Sequence, residues 1–197
     1  MEVEITFGIP ADQRAAAVKI LYEAFPNKFR KIFGPQKDVV TLIAESLRED
    51  RTVGAFHKNE IVGVGGLKFE GKEFIDIKFW PLLKALKCRI VQFLFWGWIF
   101  EHTVGKNEFL IDALAVTSKM RSRGIGKLLM DFIIDFARSE EYEQITLLVI
   151  DTNKRAQEFY RRIGFKTVKF HELFFPLDRL LGFKGVVEMG YPVNQFI

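Results

Sequence analysis

The segment from Leu114 to Lys127, with the sequence LAVTSKMRSRGIGK, leads from an apolar run through a basic turn into an amphipathic pattern. The apolar run from Phe109 to Val116 predicts a buried strand, and the spacing of apolar residues from Ile125 to Ala137 predicts a helix. Gly124 lies just before this helix and Gly126 in its first turn, and because both lack a Cβ their backbone can approach a ligand closely. The segment therefore predicts a strand, a glycine turn and a helix, which together form a unit of an α/β fold.

The start of the predicted helix is suited to binding an anion. The amides of its first turn have no acceptor within the helix, and the positive end of the helix dipole lies behind them. Arg121, Arg123 and Lys127 add positive side chains at the same place, so we expect a pyrophosphate to bind here. The spacing Arg-x-x-Gly-x-Gly matches neither a Walker loop nor the dinucleotide fingerprint. Taken alone, it also fits a glycine turn with solvated arginines.

A second motif follows the strand predicted from Ile145 to Ile150. It reads Asn153-x-x-Ala156-x-x-Phe159-Tyr160-x-x-x-Gly164-Phe165. Together the two motifs resemble the GNAT superfamily of acetyl-CoA-dependent N-acetyltransferases, which has Arg or Gln-x-x-Gly-x-Gly or Ala after a Leu-Ala-Val strand and the second motif further along. The resemblance covers about Phe109 to Val168. The amino-terminal half of the chain, Met1 to about Lys72, fits the family only by its order of elements.

The resemblance implies an acetyl-CoA site built from both motifs. Backbone amides from Arg121 to Gly126 would bind the pyrophosphate, and the exposed backbone from Leu114 to Val116, where the central strands splay apart, would pair with the pantetheine arm. Asn153 would contact the cofactor nearer its thiol end. The expected cofactor-binding residues are Leu114, Ala115, Val116, Arg121, Ser122, Arg123, Gly124, Ile125, Gly126, Lys127, Asn153 and Tyr160.

Tyr160 is the candidate general acid. Acyl transfer from a thioester to an amine requires a proton for the departing thiolate and a group that removes a proton from the amine. The resemblance places the Tyr160 hydroxyl near the cofactor sulfur, where a phenol with an ordinary pKa of about 10 stays protonated and can donate. The alternative is that Tyr160 only packs on its helix beside Ala156 and Ile163.

Asp112 is the candidate general base, acting directly or through water. Side chains two positions apart in a strand share a face, so we expect Asp112 on the side of Leu110 and Leu114. A carboxylate among apolar neighbours is costly to bury without a partner, which favours a cleft. The alternative is a hydrogen bond or an ion pair to a neighbouring strand. A backbone amide at or next to Val116 would stabilise the developing oxyanion.

The remaining pattern predicts an α/β fold with the order βααββ, an inserted helix, and βαβαββ. With the resemblance, this implies a mixed, mostly antiparallel central sheet with splayed central strands and helices on both faces. The other predicted elements are strands Val3–Gly8, Thr52–His57, Ile61–Phe69, Phe165–His171 and Gly185–Pro192, and helices Ala11–Phe25, Gln36–Glu49, Phe79–Leu94 and Lys154–Ile163, the last ending at Gly164 as a left-handed cap.

Length, charge and cysteine content limit the class of protein. A chain of 197 residues predicts one domain, 1–197. The net charge of +4 favours an anionic partner, and without a nucleic-acid fingerprint we expect that partner to be the phosphorylated cofactor. Cys88, which is the single cysteine, and the lack of a leader at Met1 predict a cytoplasmic location. The three histidines lack ligand spacing, so we expect no metal site.

An insertion of about residues 72–106 precedes the cofactor-binding strand. Its end, residues 93–100 with the sequence FLFWGWIF, is apolar on all sides and needs a cover. A lid over the acceptor pocket, a dimer surface and a membrane-facing helix are the three interpretations, and we favour the lid. The longest apolar stretch, 79–100, contains several charges and is too short in its continuous part to span a bilayer, so we do not expect membrane contact.

Two functions of different class fit these observations. The first is an N-acetyltransferase that transfers an acetyl group from acetyl-CoA to a primary amine of a small molecule or a protein terminus by direct attack. The second is a non-catalytic acyl-CoA-binding sensor or interaction module. The presence of both Tyr160 and Asn153 favours catalysis, because a protein that only binds needs no more than the glycine turn. The acceptor amine and the acyl length stay open, as does a homodimer.

Overall fold

A computed structural model describes residues 2–33, 36–77, 108–173, 175 and 177–193. Seven strands form one sheet in the order β1-β2-β3-β4-β5-β7-β6, in which only the β4–β5 pair is parallel. This arrangement confirms the mixed, mostly antiparallel α/β sheet. The strands are β1 (Glu4–Phe7), β2 (Thr52–His57), β3 (Glu60–Lys68), β4 (Glu108–Val116), β5 (Gln144–Ile150), β6 (Lys166–Glu172) and β7 (Gly185–Pro192).

The helices of the described residues cover both faces of the sheet. One hydrophobic cluster joins the first three helices to one face, and a second cluster joins the fourth and fifth to the other. Single turns of 3-10 helix precede β2 and follow β4. The α-helices are α1 (Arg14–Ala24), α2 (Pro26–Phe33), α3 (Gln36–Ser46), α4 (Ile125–Ser139), α5 (Lys154–Ile163) and α6 (Leu177–Leu181).

The sequence pattern did not predict α2 and α6. Pro26 ends the periodicity of α1, but a proline also suits the first turn of a helix, and α2 begins there. The cap at Gly164 is confirmed: its φ is +118°, and its N–H donates to the carbonyls of Tyr160 and Arg161. The predicted inserted helix Phe79–Leu94 lies outside the described residues.

A β-bulge in β4 separates the two halves of that strand. Gly66 of β3 pairs with Ala113, whereas Leu67 pairs with Ile111, so Asp112 is an extra residue without a counterpart in β3. A bulge bends its strand and increases the local twist. The second half of β4 is therefore free to take a direction different from the first.

The bulge also changes which side chains share a face. Ile111 and Leu114 both pack in the cluster beneath α4, although they are an odd number of positions apart. In a strand without a bulge, residues an odd number apart lie on opposite faces. Leu110 and Leu114 therefore lie on opposite faces of the sheet. The expectation that Asp112 lies on the side of both is wrong, because the bulge at Asp112 interrupts the alternation of side chains.

The two central strands pair over only part of their length. The parallel ladder runs from Glu108 opposite Gln144 to Ile111 opposite Leu147 and stops there. Beyond that point β4 continues to pair with β3, and β5 continues to pair with β7, each to its last residue. The predicted splay of the central strands is confirmed, and it leaves an opening between the ends of β4 and β5.

Helix α4 lies close to the sheet because glycines occupy β3 where the helix crosses it. A Cβ built at Gly63 would lie 3.0 Å from Leu129 Cδ1 and 3.2 Å from Ala55 Cβ. At Gly65 it would lie 3.3 Å from Ile133 Cδ1. A larger side chain at either position would push α4 outward, so these glycines set the height of the helix above the sheet.

We expect Gly63→Val to lower the free energy of unfolding by about 1–3 kcal/mol, because extra methyl groups in a tightly packed interface force neighbouring side chains and backbone to move. Urea denaturation measures the change. Glu60→Val, in the same strand at an exposed position, is the matched control and is expected to change the value by no more than about 0.5 kcal/mol. Equal midpoints for Gly63→Val and the wild type would contradict the close packing.

Candidate active site

The turn between β4 and α4 has two residues with left-handed backbone torsion angles. The φ of Ser122 is +62° and that of Gly124, immediately before α4, is +84°. Glycine adopts this conformation without strain, whereas a serine does not. A Cβ built on Gly124 meets no atom within 4 Å, so the missing side chain leaves open space in front of the first turn of α4. The turn is shaped to let a ligand reach the helix amides.

A cavity of about 840 Å³ lies against this turn, the open end of β4, the start of α4 and α5. All the cofactor-binding residues predicted from the sequence line it except Arg123. Arg123 is exposed, and Asp112 is half-buried without contributing to the lining. Phe25, after α1, and Arg155 and Arg162 of α5 also line the cavity. The sequence motifs did not single out these three.

The backbone of the second half of β4 points into the opening. Thr117 N–H donates to the carbonyl of Val62 on the β3 side at 2.9 Å. In an antiparallel pair the residues that face the neighbouring strand alternate, so Ala115 also faces β3. The N–H and C=O groups of Leu114 and Val116 are therefore directed to the other side, where β5 has diverged. Both groups of Leu114 and the N–H of Val116 can pair with an extended ligand as a strand would, while the Val116 carbonyl already accepts a hydrogen bond from Arg121 Nε.

The charged residues of the cavity lining are all basic among the residues the structure describes, namely Arg121, Lys127, Arg155 and Arg162. Three of them already have partners, and Arg155 Nη2 donates to Ser122 Oγ at 2.9 Å. Lys127 Nζ lies 2.6 Å from Asp131 Oδ2, and Arg121 Nε donates to the carbonyl oxygen of Val116 at 3.1 Å. Positive side chains and the amides of a helix start together favour an anionic ligand.

Asn153 caps the amino end of α5. Its side-chain Oδ1 accepts a hydrogen bond from Ala156 N–H at 3.1 Å, so it satisfies one of the free amides of the first turn. An asparagine directly before an amphipathic run is also the sequence signal of such a cap, so the motif residue has a structural role besides the predicted cofactor contact. With Oδ1 engaged, the side-chain nitrogen Nδ2 is the atom that remains for the cavity.

The side chain of Gln157 holds α5 against the end of β5. It is buried, with 2% of its surface exposed, and its Nε2 donates to the carbonyls of Ile150 at 3.2 Å and Asp151 at 3.1 Å. Buried polar groups are retained when they are hydrogen-bonded in this way. This contact joins α5 to the end of β5, in addition to the apolar packing of the helix against the second hydrophobic cluster.

Tyr160 lies on α5 with its ring packed between aromatic neighbours. The ring centroids of Phe159 and Phe165 lie 5.2 Å and 5.7 Å away. The residue also lines the cavity, so its role in packing and its exposure to a ligand coexist. Burial raises the pKa of Tyr160, because the charged phenolate would lose its hydration. Its hydroxyl therefore keeps its proton throughout the neutral range.

Metal binding and membrane crossing are two further possibilities for the described part of the chain. No group of three or more His, Cys, Asp or Glu side chains there could hold a metal ion. Within the same residues, no helix has the length and apolar character needed to cross a membrane.

Comparisons with known proteins agree with this geometry. The model of the acetyltransferase (GNAT) family matches residues 17–165. Similar solved structures include an acetyltransferase (TM-score 0.67, 20% identity, 97% of this chain and 100% of that one). An N-acetyltransferase from Staphylococcus aureus Mu50 has a TM-score of 0.67 at 16% identity, covering 95% of this chain and 100% of that one. The ribosomal-protein-S18-alanine N-acetyltransferase from Escherichia coli has a TM-score of 0.56 at 14% identity, covering 100% of this chain and 99% of that one.

At these identities the solved structures establish the fold alone, and no curated protein matches the chain significantly. The family model, in contrast, spans most of the chain, including the loop, α4, β5 and α5 that build the cavity. The chain therefore belongs to the acetyltransferase (GNAT) family and is an acyltransferase.

Proposed function

We propose that this enzyme transfers the acetyl group of acetyl-CoA to a primary amine of a small molecule or a protein terminus by direct attack. Members of the family generally use acetyl-CoA and act on amine acceptors. One observation carries the proposal. The opening between β4 and β5, the amino end of α4 and the side chain of Tyr160 all meet in one cavity with basic walls.

The residues present fit acetyl-CoA. The space that a Cβ on Gly124 would enter lies free in front of the α4 amides, and Arg121 and Lys127 stand beside it. These groups would hold the pyrophosphate. The backbone of Leu114 and Val116 would hold the pantetheine arm with Asn153 near the thiol end. Bound acetyl-CoA would supply the thioester from which the acetyl group is taken.

The chain's own groups would then handle charge and protons. As the acceptor nitrogen attacks the carbonyl carbon, the C–N bond forms, the C–S bond breaks, and the amide of Val116 stabilises the negative charge on the carbonyl oxygen. The hydroxyl of Tyr160 donates its proton to the departing sulfur and regains one from solvent. Asp112, directly or through water, takes the proton that the amine loses. No covalent enzyme intermediate is required.

The raised pKa of Tyr160 supports the role of acid over that of base. Burial favours the neutral phenol, so the proton is present at the pH at which the enzyme works. Because a thiol has an ordinary pKa of about 8.5, its thiolate is a weaker base than this phenolate, so the hydroxyl of Tyr160 would first stabilise the sulfur by donating a hydrogen bond as its negative charge develops. This reasoning also favours catalysis over a non-catalytic acyl-CoA sensor, which needs no proton donor in its cavity.

The proposal extends to the domain organisation, the cellular location and the role of the insertion. We propose that residues 1–197 form one acetyltransferase domain that acts in the cytoplasm, with the insertion at about 72–106 serving as a lid over the acceptor. A homodimer that uses the aromatic end of the insertion is the alternative to the lid.

We expect free thiol to be released from acetyl-CoA when a suitable primary amine is supplied. The measurement follows thiol release against a panel of small amines, polyamines, amino acids and peptides with free amino termini. A reaction without amine is the control, since it reports hydrolysis alone. Tight binding of acetyl-CoA without acceleration by any amine class would contradict the transferase and favour the sensor.

We expect Gly124→Val to weaken acetyl-CoA binding by at least about tenfold, because its side chain would occupy the space in front of the α4 amides and displace charge-assisted hydrogen bonds. Gly71→Val is the matched control. Gly71 has a φ of +70°, a Cβ there also meets no atom within 4 Å, and the residue does not line the cavity. Both variants carry similar backbone strain, so calorimetry separates strain from blocking. Unaltered affinity in a folded Gly124→Val protein would contradict the placement.

We expect Tyr160→Phe to lower turnover by about 10²- to 10⁴-fold while changing acetyl-CoA affinity little, because the substitution removes the proton donor and keeps the ring. Steady-state kinetics and direct titration of the same preparation test the separation. Tyr191→Phe is the matched control: its ring lies 5.3 Å from that of Phe165 in the same cluster, outside the cavity lining. Wild-type turnover in Tyr160→Phe would remove the acid role.

A further inference from the structure

Helix α5 begins with two cations at a place where helices favour anions. Lys154 and Arg155 open its first turn, which has no acidic residue. The positive end of the helix dipole lies there, so both side chains are unfavourable for the helix itself. Departures from local preference of this kind are expected at functional sites. Of the two residues, only Arg155 lines the cavity.

The guanidinium of Arg155 reaches across the cavity rim to the phosphate loop. Its Nη2 donates to Ser122 Oγ at 2.9 Å, which joins residues 33 positions apart in the chain. Ser122 has a left-handed φ of +62°, and the hydrogen bond from Arg155 helps to hold this strained residue in place. Arg155 therefore lies at the exposed rim, beside the loop and not inside it.

Arg155 keeps most of its donors for a ligand. A guanidinium has five N–H groups, and no carboxylate pairs with Arg155 within the described residues. Two of the other cations near the loop are more committed, Arg123 lies outside the cavity lining, and Arg162 lies about two turns further along α5. Lys127 is paired with Asp131, and Arg121 donates to the carbonyl of Val116. Arg155 is thus an available cation separate from the helix amides that suit the pyrophosphate.

Coenzyme A offers a second anion of the matching kind. Its 3′-phosphate is a phosphomonoester, with a charge of about −1.5 to −2 near neutral pH. A planar guanidinium binds such a group through two parallel hydrogen bonds. With the pyrophosphate assigned to the α4 amides, the exposed guanidinium of Arg155 at the rim would be available for this second phosphate.

We propose that Arg155 binds the 3′-phosphate of coenzyme A and that the enzyme thereby distinguishes the coenzyme from its 3′-dephospho form. This inference rests on the proposed use of acetyl-CoA. Helix α5 would then select the cofactor through Arg155, independently of the proton transfer by Tyr160 on the same helix. The hydrogen bond to Ser122 would orient the guanidinium before the ligand binds.

Calorimetry with coenzyme A and with 3′-dephospho-coenzyme A tests the proposal on the wild type, Arg155→Gln and Lys154→Gln. We expect the wild type to prefer coenzyme A by about tenfold, the order of one charge-assisted hydrogen-bonded pair at a partly exposed site. Arg155→Gln should lose this preference by weakening coenzyme A binding alone. Lys154→Gln removes the same charge from the same turn, outside the cavity lining, and should keep the preference.

Three outcomes would overturn the assignment. If Arg155→Gln weakens both ligands equally, the residue contacts the pyrophosphate instead. If Lys154→Gln lowers the preference as much as Arg155→Gln does, only general electrostatics is at work. If the wild type binds neither ligand, the proposed use of acetyl-CoA fails together with the inference, a result distinct from the first two because no variant is needed to see it.

Discussion

The hydrogen-bonded pairing of β4 with β5 ends at Ile111 and Leu147, and the site exists because it ends there. The bulge at Asp112 lies directly beyond this point, and the bend it introduces carries the rest of β4 along β3 and away from β5. Backbone groups that would otherwise complete a sheet are left facing a cavity. A buried backbone group without a partner is costly, so the opening is stable only where a ligand or water can satisfy it.

Two helices frame this opening, and each is positioned by a different device. Helix α4 sits low because Gly63 and Gly65 of β3 leave room for Leu129 and Ile133. Helix α5 is fixed at the end of β5 by the hydrogen bonds of the Gln157 amide. Close apolar packing thus positions α4, and hydrogen bonds from a buried amide side chain help to position α5. Because both act at the end of the sheet where the strands diverge, the start of α4 and the face of α5 meet over the same space.

The electrostatics of the cavity follow from this meeting. The described lining holds basic side chains and no acidic one, and the helix amides add a fixed positive field. The apolar ring cluster around Tyr160 lies beside this region and raises the pKa of its hydroxyl by excluding water. A basic rim and a protonated phenol thus occupy one cavity, which suits a ligand that is anionic at one end and reactive at the other.

The sequence by itself determined the features that depend on neighbouring residues. The strand, glycine turn and helix from Phe109 onward, the left-handed cap at Gly164 and the two cofactor motifs follow from periodicity, torsional freedom and spacing along the chain. The tertiary structure alone decided what depends on strand register and on contacts between distant segments. No local pattern marks Asp112 as a bulge, because a bulge is defined by the partner strand. The contact of Arg155 with Ser122 likewise exists only because folding brings together residues 33 positions apart.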